Sequence, residues 1–302
     1  MIRFHRFTKR FGSHLAVDSL TFDVAAGEAV ALLGPNGSGK TTSLKATAGL
    51  IRPTAGEVLV GDPPRPASDP SARRACSYLP QKVTFADALT GREVVEFYRA
   101  LRGAPGDRVD QVLRFASLNG SASRLVGTYS GGMVQRLGLA VAMLPDAPVL
   151  LLDEPTAALD PDGLCAFYGL VERRKAAGRS VFFSSHQLGD VERLADRFAV
   201  LVAGRLVGSF SQRELAERLA DRGVMRVRLQ ASPTDAMLTR VRGISPRAQW
   251  VSGCSELVVP GPASSRPAVL DAMRAEGADI RGLTAEEGRL DAFYRELVEE
   301  HQ

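Results

Sequence analysis

The run Ala29 Val30 Ala31 Leu32 Leu33 Gly34 Pro35 Asn36 Gly37 Ser38 Gly39 Lys40 Thr41 Thr42 Ser43 Leu44 Lys45 Ala46 Thr47 Ala48 decides the fold. Its first five residues are apolar without alternation, as in a strand buried on both faces, and its last six read as the start of a helix. Between them, Gly34, four residues, then Gly39, Lys40 and Thr41 have the spacing of a phosphate-binding loop. Such a loop needs glycines because its backbone N–H groups must approach an anion closely and its chain must visit positive φ. In that loop Lys40 reaches the β- and γ-phosphates and the Thr41 hydroxyl binds Mg²⁺. An ordinary glycine-rich turn does not require a strand before it and a helix after it.

Working outward, Ile2 to Phe7 and Phe22 to Val24 alternate around the turns at Phe11 Gly12 Ser13 and Ala26 Gly27, which predicts a short antiparallel β layer. Gly56 to Asp62 reads as a further strand and turn, Ser71 to Arg74 as a short helix, and Ala75 to Leu79 as a strand closed by Pro80. From Gly91 to Leu144 the apolar spacing is helical, giving a helical subdomain over about 86–145. Pro148 to Asp153 and Ser180 to Ser185 are again unalternated apolar runs. They are separated by a helix over Gly163–Ala177 and followed by a helix over Leu188–Ala195 and a strand over Arg197–Val202. Alternating strands and helices predict a largely parallel α/β sheet with right-handed crossovers.

The composition shifts at a helix and linker near Leu215 to Gly223. Beyond it the predicted order is strand Met225–Leu229, helix Pro233–Val241, strands Arg247–Val251 and Glu256–Val259, helix Ser265–Ala275, strand Asp279–Leu283 and helix Leu290–Glu299. That βαββαβα order points to a small ferredoxin-like α+β module. The chain is thus expected to divide into residues 1–213 and a C-terminal accessory domain, residues 214–302.

The 302 residues are 45% hydrophobic and 24% charged, ordinary for a globular protein of about two domains. A net charge of +4 without a long basic block gives no electrostatic reason to expect a nucleic-acid partner. Lysine occurs only at 9, 40, 45, 82 and 175, so nearly all the positive charge is arginine. The 3 cysteines, Cys76, Cys165 and Cys254, are far apart and suggest neither a disulfide framework nor a zinc site, which suits a reducing cytosol. No run approaches the ~18 apolar residues of a membrane span. Work at a membrane would need another chain to span it.

Asp153 and Glu154 end a buried strand, where a doubly wound sheet places its ligand crevice. Asp153 can join a Mg²⁺ shell, and Glu154 can orient or deprotonate the water that attacks a γ-phosphate. Tyr129 Ser130 Gly131 Gly132 Met133 opens a helix, either as a second anion site or as a plain N-cap. Phe11 is either a core aromatic or a stacking platform beside Lys9, and His186 either a loop histidine or a polar group at a strand end.

Taken in order, these motifs resemble the ATPase subunits of ATP-binding-cassette transporters: the phosphate loop at 34–42, Gln81 after a strand, Ser130 Gly131 Gly132, the acidic pair, Ala158 Leu159 Asp160, and His186. The resemblance covers residue 2 to about 213. It implies a P-loop NTPase of the cassette type that binds ATP and Mg²⁺ and forms a head-to-tail homodimer, with two ATPs held between the phosphate loop of one chain and Ser130–Gly132 of the other. It further implies that Gly34, Asn36, Gly37, Ser38, Gly39, Lys40, Thr41 and Thr42 hold phosphates and that Phe11 stacks on adenine. Gln81 would sense Mg²⁺ and water, Asp160 would cross the dimer interface, and His186 would contact the γ-phosphate. Met133 departs from the family, where glutamine is common. The implied partners are membrane-spanning permease subunits, docking near Phe85 to Arg102, with the chain peripheral on the cytoplasmic face of the cell membrane. Tyr78 to Phe85, Leu89 to Glu93 and Leu290 to Leu297 look similar to ATPases of copper-processing transporters that mature nitrous-oxide reductase, which implies copper or sulfur species as cargo. Export of a drug, lipid or ion is the alternative. A soluble cassette ATPase acting on nucleic acid or ribosomes is a third reading, disfavoured by a single phosphate loop and no heptad run.

Overall fold

The computed structural model describes residues 1–157 and 159–301. Ala158 of the expected Ala158 Leu159 Asp160 turn lies outside the described residues. The chain divides into two compact units, Met1–Ser209 together with His301, and Phe210–Glu300.

The first unit opens with a hairpin of β1 (Ile2–Phe11) and β2 (His14–Val24). Next come β3 (Ala29–Leu33), α1 (Lys40–Thr47), β4 (Ala55–Val60), the two-residue β5 (Arg65–Pro66), α2 (Pro70–Arg74) and β6 (Cys76–Leu79). The helical subdomain holds α3 (Gly91–Arg102), α4 (Arg108–Phe115) and α5 (Gly131–Ala142). After it come β7 (Val149–Asp153), α6 (Pro161–Ala176), β8 (Ser180–Ser184), α7 (Leu188–Leu194), β9 (Arg197–Val202) and β10 (Arg205–Ser211), whose last two residues belong to the second unit.

Two sheets result. The antiparallel layer has the order β2-β1-β4-β5, and the larger sheet has the order β10-β9-β3-β8-β7-β6. In the larger sheet β3 pairs in parallel with β8 and β9, and β7 with β6 and β8. Every residue of β3, β7 and β8 is buried, as their unalternated apolar runs require. The helices start where local chemistry can satisfy their free N–H groups. Thr90 and Glu93 form a reciprocal capping box at α3, Ser130 caps α5, and Asp160 caps α6 just before Pro161.

The hairpin is longer than the expected alternation, which broke at Phe7 and Phe22. Register shifts lie between Phe4 and Phe7, where Arg6 takes a positive φ, and Ser19 does the same on the facing strand. Each irregularity resets which face the side chains occupy, so Phe4 and Phe7 are both buried although the strict period of two places them apart. β10 was not expected. Its residues are mostly half-buried around Gly208, which leaves little periodic signal.

Phe210 belongs to the second unit, four residues before the expected boundary. The edge of its ring meets Phe293 at a centroid distance of 5.3 Å, and the Arg218 guanidinium lies over it at 4.8 Å. This unit contains α8 (Gln212–Ala220), β11 (Val224–Leu229), α9 (Asp235–Ile244), β12 (Gln249–Val251), β13 (Glu256–Pro260), α10 (Arg266–Ala275), β14 (Ile280–Glu286) and α11 (Leu290–Glu299). Its sheet is antiparallel with the order β12-β13-β11-β14, and Met225, Val227, Met237, Val241, Leu257, Val269 and Met273 form its core. Among the described residues no helix is long and apolar enough to cross a membrane.

The layers of the first unit are joined by aromatic packing: the Phe182 ring on β8 lies 6.0 Å from Phe4 and 6.1 Å from Phe22, centroid to centroid. Phe182 is fully buried, so Phe182→Ala is expected to destabilise the protein by about 3–5 kcal/mol. Urea denaturation followed by fluorescence measures it, and a loss below about 1 kcal/mol would show that the junction collapses around the deletion.

Candidate functional site

Because β3, β7 and β8 run parallel and adjacent, their C-terminal ends lie on one edge of the sheet. Those ends deliver the glycine loop, the acidic pair, and Ser184 to His186. The loop folds only as glycine permits. A Cβ on Gly34, at φ +148, would sit 2.1 Å from the Leu201 carbonyl oxygen, and one on Gly39, at φ +100, would sit 2.7 Å from that of Ala16. Lys40 is buried, and its Nζ donates to the carbonyl oxygens of Gly34 at 2.7 Å and Pro35 at 2.9 Å. Burial pulls its ammonium below the ordinary lysine value, opposed by the nearby carboxylates of Glu154 and Asp153. The Ser38 hydroxyl is buried in the same loop and has no hydrogen-bond partner among the described residues.

Asp153 is held by three hydroxyls: Ser184 donates to Oδ1 at 2.7 Å, Thr41 to Oδ1 at 3.1 Å, and Tyr78 to Oδ2 at a long 3.4 Å. Burial pushes the Tyr78 phenol well above its ordinary value, reinforced by the Asp153 charge, so it stays a donor. Glu154 has φ +49, a left-handed backbone that costs a non-glycine residue about 1–3 kcal/mol. Its Oε2 accepts from Gln81 Nε2 at 2.8 Å and lies 3.5 Å from His186 Nδ1. A cavity of ≈ 450 Å³ is lined by Phe11, His14, Ala16, residues 36–42, Gln81 and Glu154.

The structure therefore brings together Phe11, Asn36, Gly37, Ser38, Gly39, Lys40, Thr41, Thr42, Gln81 and Glu154 around one cavity. Asp153 and His186 join through their contacts with Thr41 and Glu154. Phe11 is 49% exposed and so is no core aromatic, and Lys9 Nζ lies 4.9 Å from its ring centroid. Ser130, Gly131, Gly132 and Asp160 do not line this cavity. The Ser130 hydroxyl accepts from the Met133 N–H at 3.3 Å, while Asp160 accepts from the Gly163 N–H at 3.0 Å and forms an ion pair with Arg136 of α5. Four neighbours were not singled out from the sequence: His14, Ala16, Tyr78 as a ligand of Asp153, and Ser184. His14 had a local signal, since a two-residue turn sets it opposite Phe11. The contacts of Tyr78 and Ser184 with Asp153 cross between strands.

The donor set suits a magnesium ion shared with phosphates. Thr41, Asp153 and Gln81 offer hard oxygen atoms, and among the described residues no group of three or more His, Cys, Asp or Glu forms a complete metal cage. A second cavity, of ≈ 660 Å³, lies within the second unit between Arg222, Arg247, Arg289 and Phe293 and contains none of these groups.

A strand, glycine loop and helix with an acidic pair at the end of β7, one strand beyond β8 in the same sheet, define a P-loop nucleotide-binding protein. Comparison with known proteins narrows the class. The family described as "ABC transporter" matches residues 17–157. A Nod factor export ATP-binding protein I of Burkholderia lata is 37% identical over 220 residues, covering 72% of each chain. An uncharacterized ABC transporter ATP-binding protein, YxlF of Bacillus subtilis, is 36% identical over 223 residues, covering 72% of this chain and 73% of its own. Among solved structures, a dimeric ATP-binding cassette in a post-hydrolysis state with ADP and Pi superposes with a TM-score of 0.65 at 26% identity, covering 70% of this chain and 99% of that one. The chain belongs to the ATP-binding, ATP-hydrolysing subunits of ABC transporters.

The exposed Phe11 ring is expected to carry part of nucleotide affinity without supporting the fold. Phe11→Ala should weaken ATP binding by about 1 kcal/mol, read by fluorescent-nucleotide titration, while Phe11→Trp should retain it. Equal affinity in all three proteins would remove Phe11 from the site.

Proposed function

We propose that this chain is a transport motor that binds ATP between two head-to-tail copies of itself and couples hydrolysis to membrane-spanning permease subunits. The observation that carries it is the division of the motifs. Gln81, Glu154 and His186 converge beside the phosphate loop of their own chain, whereas Ser130–Gly132 and Asp160 stay off that cavity. Half a site per chain calls for a second copy, and the dimeric form of the similar cassette supports this.

In this reading Lys40 and the N–H groups of residues 34–42 bind the β- and γ-phosphates, and Phe11 stacks on adenine. Thr41, Asp153 and Gln81 would hold Mg²⁺, which neutralises charge building on the phosphates. Glu154, aimed by Gln81, orients and deprotonates the attacking water, and His186 contacts the γ-phosphate. Ser130, Gly131 and Gly132 of the second copy close over the same phosphate from the N-terminus of α5, with Asp160 alongside at the interface.

Permease docking is supported by an apolar stretch near Gln81. Phe97 and Leu101 are 60% and 67% exposed on α3, beside a groove of ≈ 230 Å³ lined by Pro80, Val83, Phe85 and Tyr98. The chain would then sit peripherally at the cytoplasmic face of the membrane. For cargo, the Nod factor export ATP-binding protein among its relatives favours export; copper or sulfur species rest only on the local similarity of Tyr78–Phe85, Leu89–Glu93 and Leu290–Leu297. The antiparallel order β12-β13-β11-β14 of the second unit supports reading it as a ferredoxin-like module, and its own core supports an accessory role in dimerisation or regulation.

Glu154→Gln is expected to cut ATP turnover at least about a hundredfold while keeping nucleotide binding and trapping a dimer on size-exclusion chromatography. Full turnover in that variant would overturn the assignment of the base. Ser130→Ala should lower hydrolysis with little change in ATP affinity of the monomer; a large loss of monomer affinity would refute the head-to-tail site. Purification in detergent discriminates the classes of partner, a membrane protein supporting the motor and ribosomes or DNA contradicting it.

A further inference from the structure

We propose that Ser184 is a positioning residue that sets the backbone of Glu154 and the carboxylate of Asp153 through a single buried hydroxyl. This deepens the reading above and rests on Glu154 as the base. Ser184 is completely buried at the C-terminal end of β8, where it pairs with Leu32 of β3 on one side and Asp153 of β7 on the other. It therefore stands in the strand between the one that launches the phosphate loop and the one that ends in the acidic pair.

Its hydroxyl is used in both directions. The oxygen accepts the Glu154 N–H at 2.9 Å, and the proton is donated to Asp153 Oδ1 at 2.7 Å. The two bonds complete each other: donation to a carboxylate makes the oxygen a better acceptor for the amide. The amide it holds belongs to a residue with φ +49, a conformation that persists only where its surroundings enforce it. Fixing that N–H fixes the direction in which the Glu154 side chain leaves the chain, toward Gln81 and His186.

The neighbouring hydroxyl works elsewhere. Ser185 accepts from the Gln187 N–H at 2.9 Å and lies 3.4 Å from the buried Asp190, which also receives the Thr156 hydroxyl at 2.6 Å. The two serines thus divide the work, Ser184 holding the acidic pair and Ser185 the segment that follows it.

A side chain of alanine or valine at 184 would suit a buried strand and leave the Glu154 N–H without its partner. Glu154 would then sample other directions at unchanged phosphate contacts. Small misplacements of a reacting group are costly, so turnover should fall between about ten- and a hundredfold. The KM for ATP should hold within about twofold, because Asp153 loses one of its three hydroxyls but keeps those of Thr41 and Tyr78, and no bond within the phosphate loop is lost.

The experiment compares Ser184→Ala, Ser184→Thr and Glu154→Gln with Ser77→Ala, which removes another buried hydroxyl, one bonded to the Ala142 carbonyl. Ser184→Ala should lower kcat at constant KM. In the nucleotide-free protein it should speed hydrogen exchange at the Glu154 amide about tenfold or more, read by NMR or fragment mass spectrometry. Ser184→Thr, which keeps the hydroxyl, should restore both, and Ser77→Ala should change neither. Wild-type kcat and Glu154 exchange in Ser184→Ala overturn the proposal, as does an equal loss in Ser77→Ala, which would mark a general packing effect. Failure of the base assignment shows separately, as Glu154→Gln retaining turnover. If Ser184→Ala does not fold, Ser184→Cys, with its weaker donor, should give intermediate exchange, and unchanged exchange there overturns the proposal.

Discussion

Strands buried on both faces can present reactive groups only where they end. β3, β8 and β7 are such strands, and their parallel pairing puts all three ends on one edge of the sheet. The glycine loop, the acidic pair and the histidine segment are therefore neighbours because of backbone pairing, before any side chain contributes. The residues at those ends then bind one another: Thr41 and Ser184 reach Asp153, and Glu154 receives Gln81. Removing the pairing would scatter the site even if every motif were retained.

The same edge concentrates cost. Glu154 holds a left-handed backbone, Lys40 is buried with a weakened hold on its proton, and Ser38 leaves a buried hydroxyl unpaired among the described residues. Each is unfavourable for a resting fold and each belongs to a group that a phosphate or a water could engage. The aromatic junction of Phe4, Phe22 and Phe182 lies in the core between the layers and supplies packing that tolerates such strain nearby.

Much of this was legible in the chain because the decisive signals are local. Unalternated runs marked β3, β7 and β8, and glycine spacing marked the loop. A side chain that can cap marked the start of α5, whereas the caps Thr90 of α3 and Asp160 of α6 came to light only in the structure. Illegible features depended on registration between distant segments. The irregularities at Arg6 and Ser19 hid the length of the hairpin, and the half-buried face of β10 offered no period. The roles of Ser184 and Tyr78 arise only once β8 and β6 lie beside β7, since serine and tyrosine at strand ends are unremarked in a one-dimensional string. The four-residue shift of the unit boundary has the same origin: Phe210 finds Phe293, a residue 83 positions away.

The hairpin that carries Phe11 makes a last point about how a surface can be exact without a core. Phe11 and His14 face each other across the two residues Gly12 and Ser13, and Phe11 is half exposed. Its place at the cavity mouth is thus fixed by main-chain hydrogen bonds and turn length, like a bracket hung from a rail. The ring itself can be exchanged with little disturbance to the interior, whereas one residue added to or removed from that turn would carry the whole bracket out of reach. Length at this tip is what the fold constrains, and the ring at Phe11 is what the nucleotide constrains.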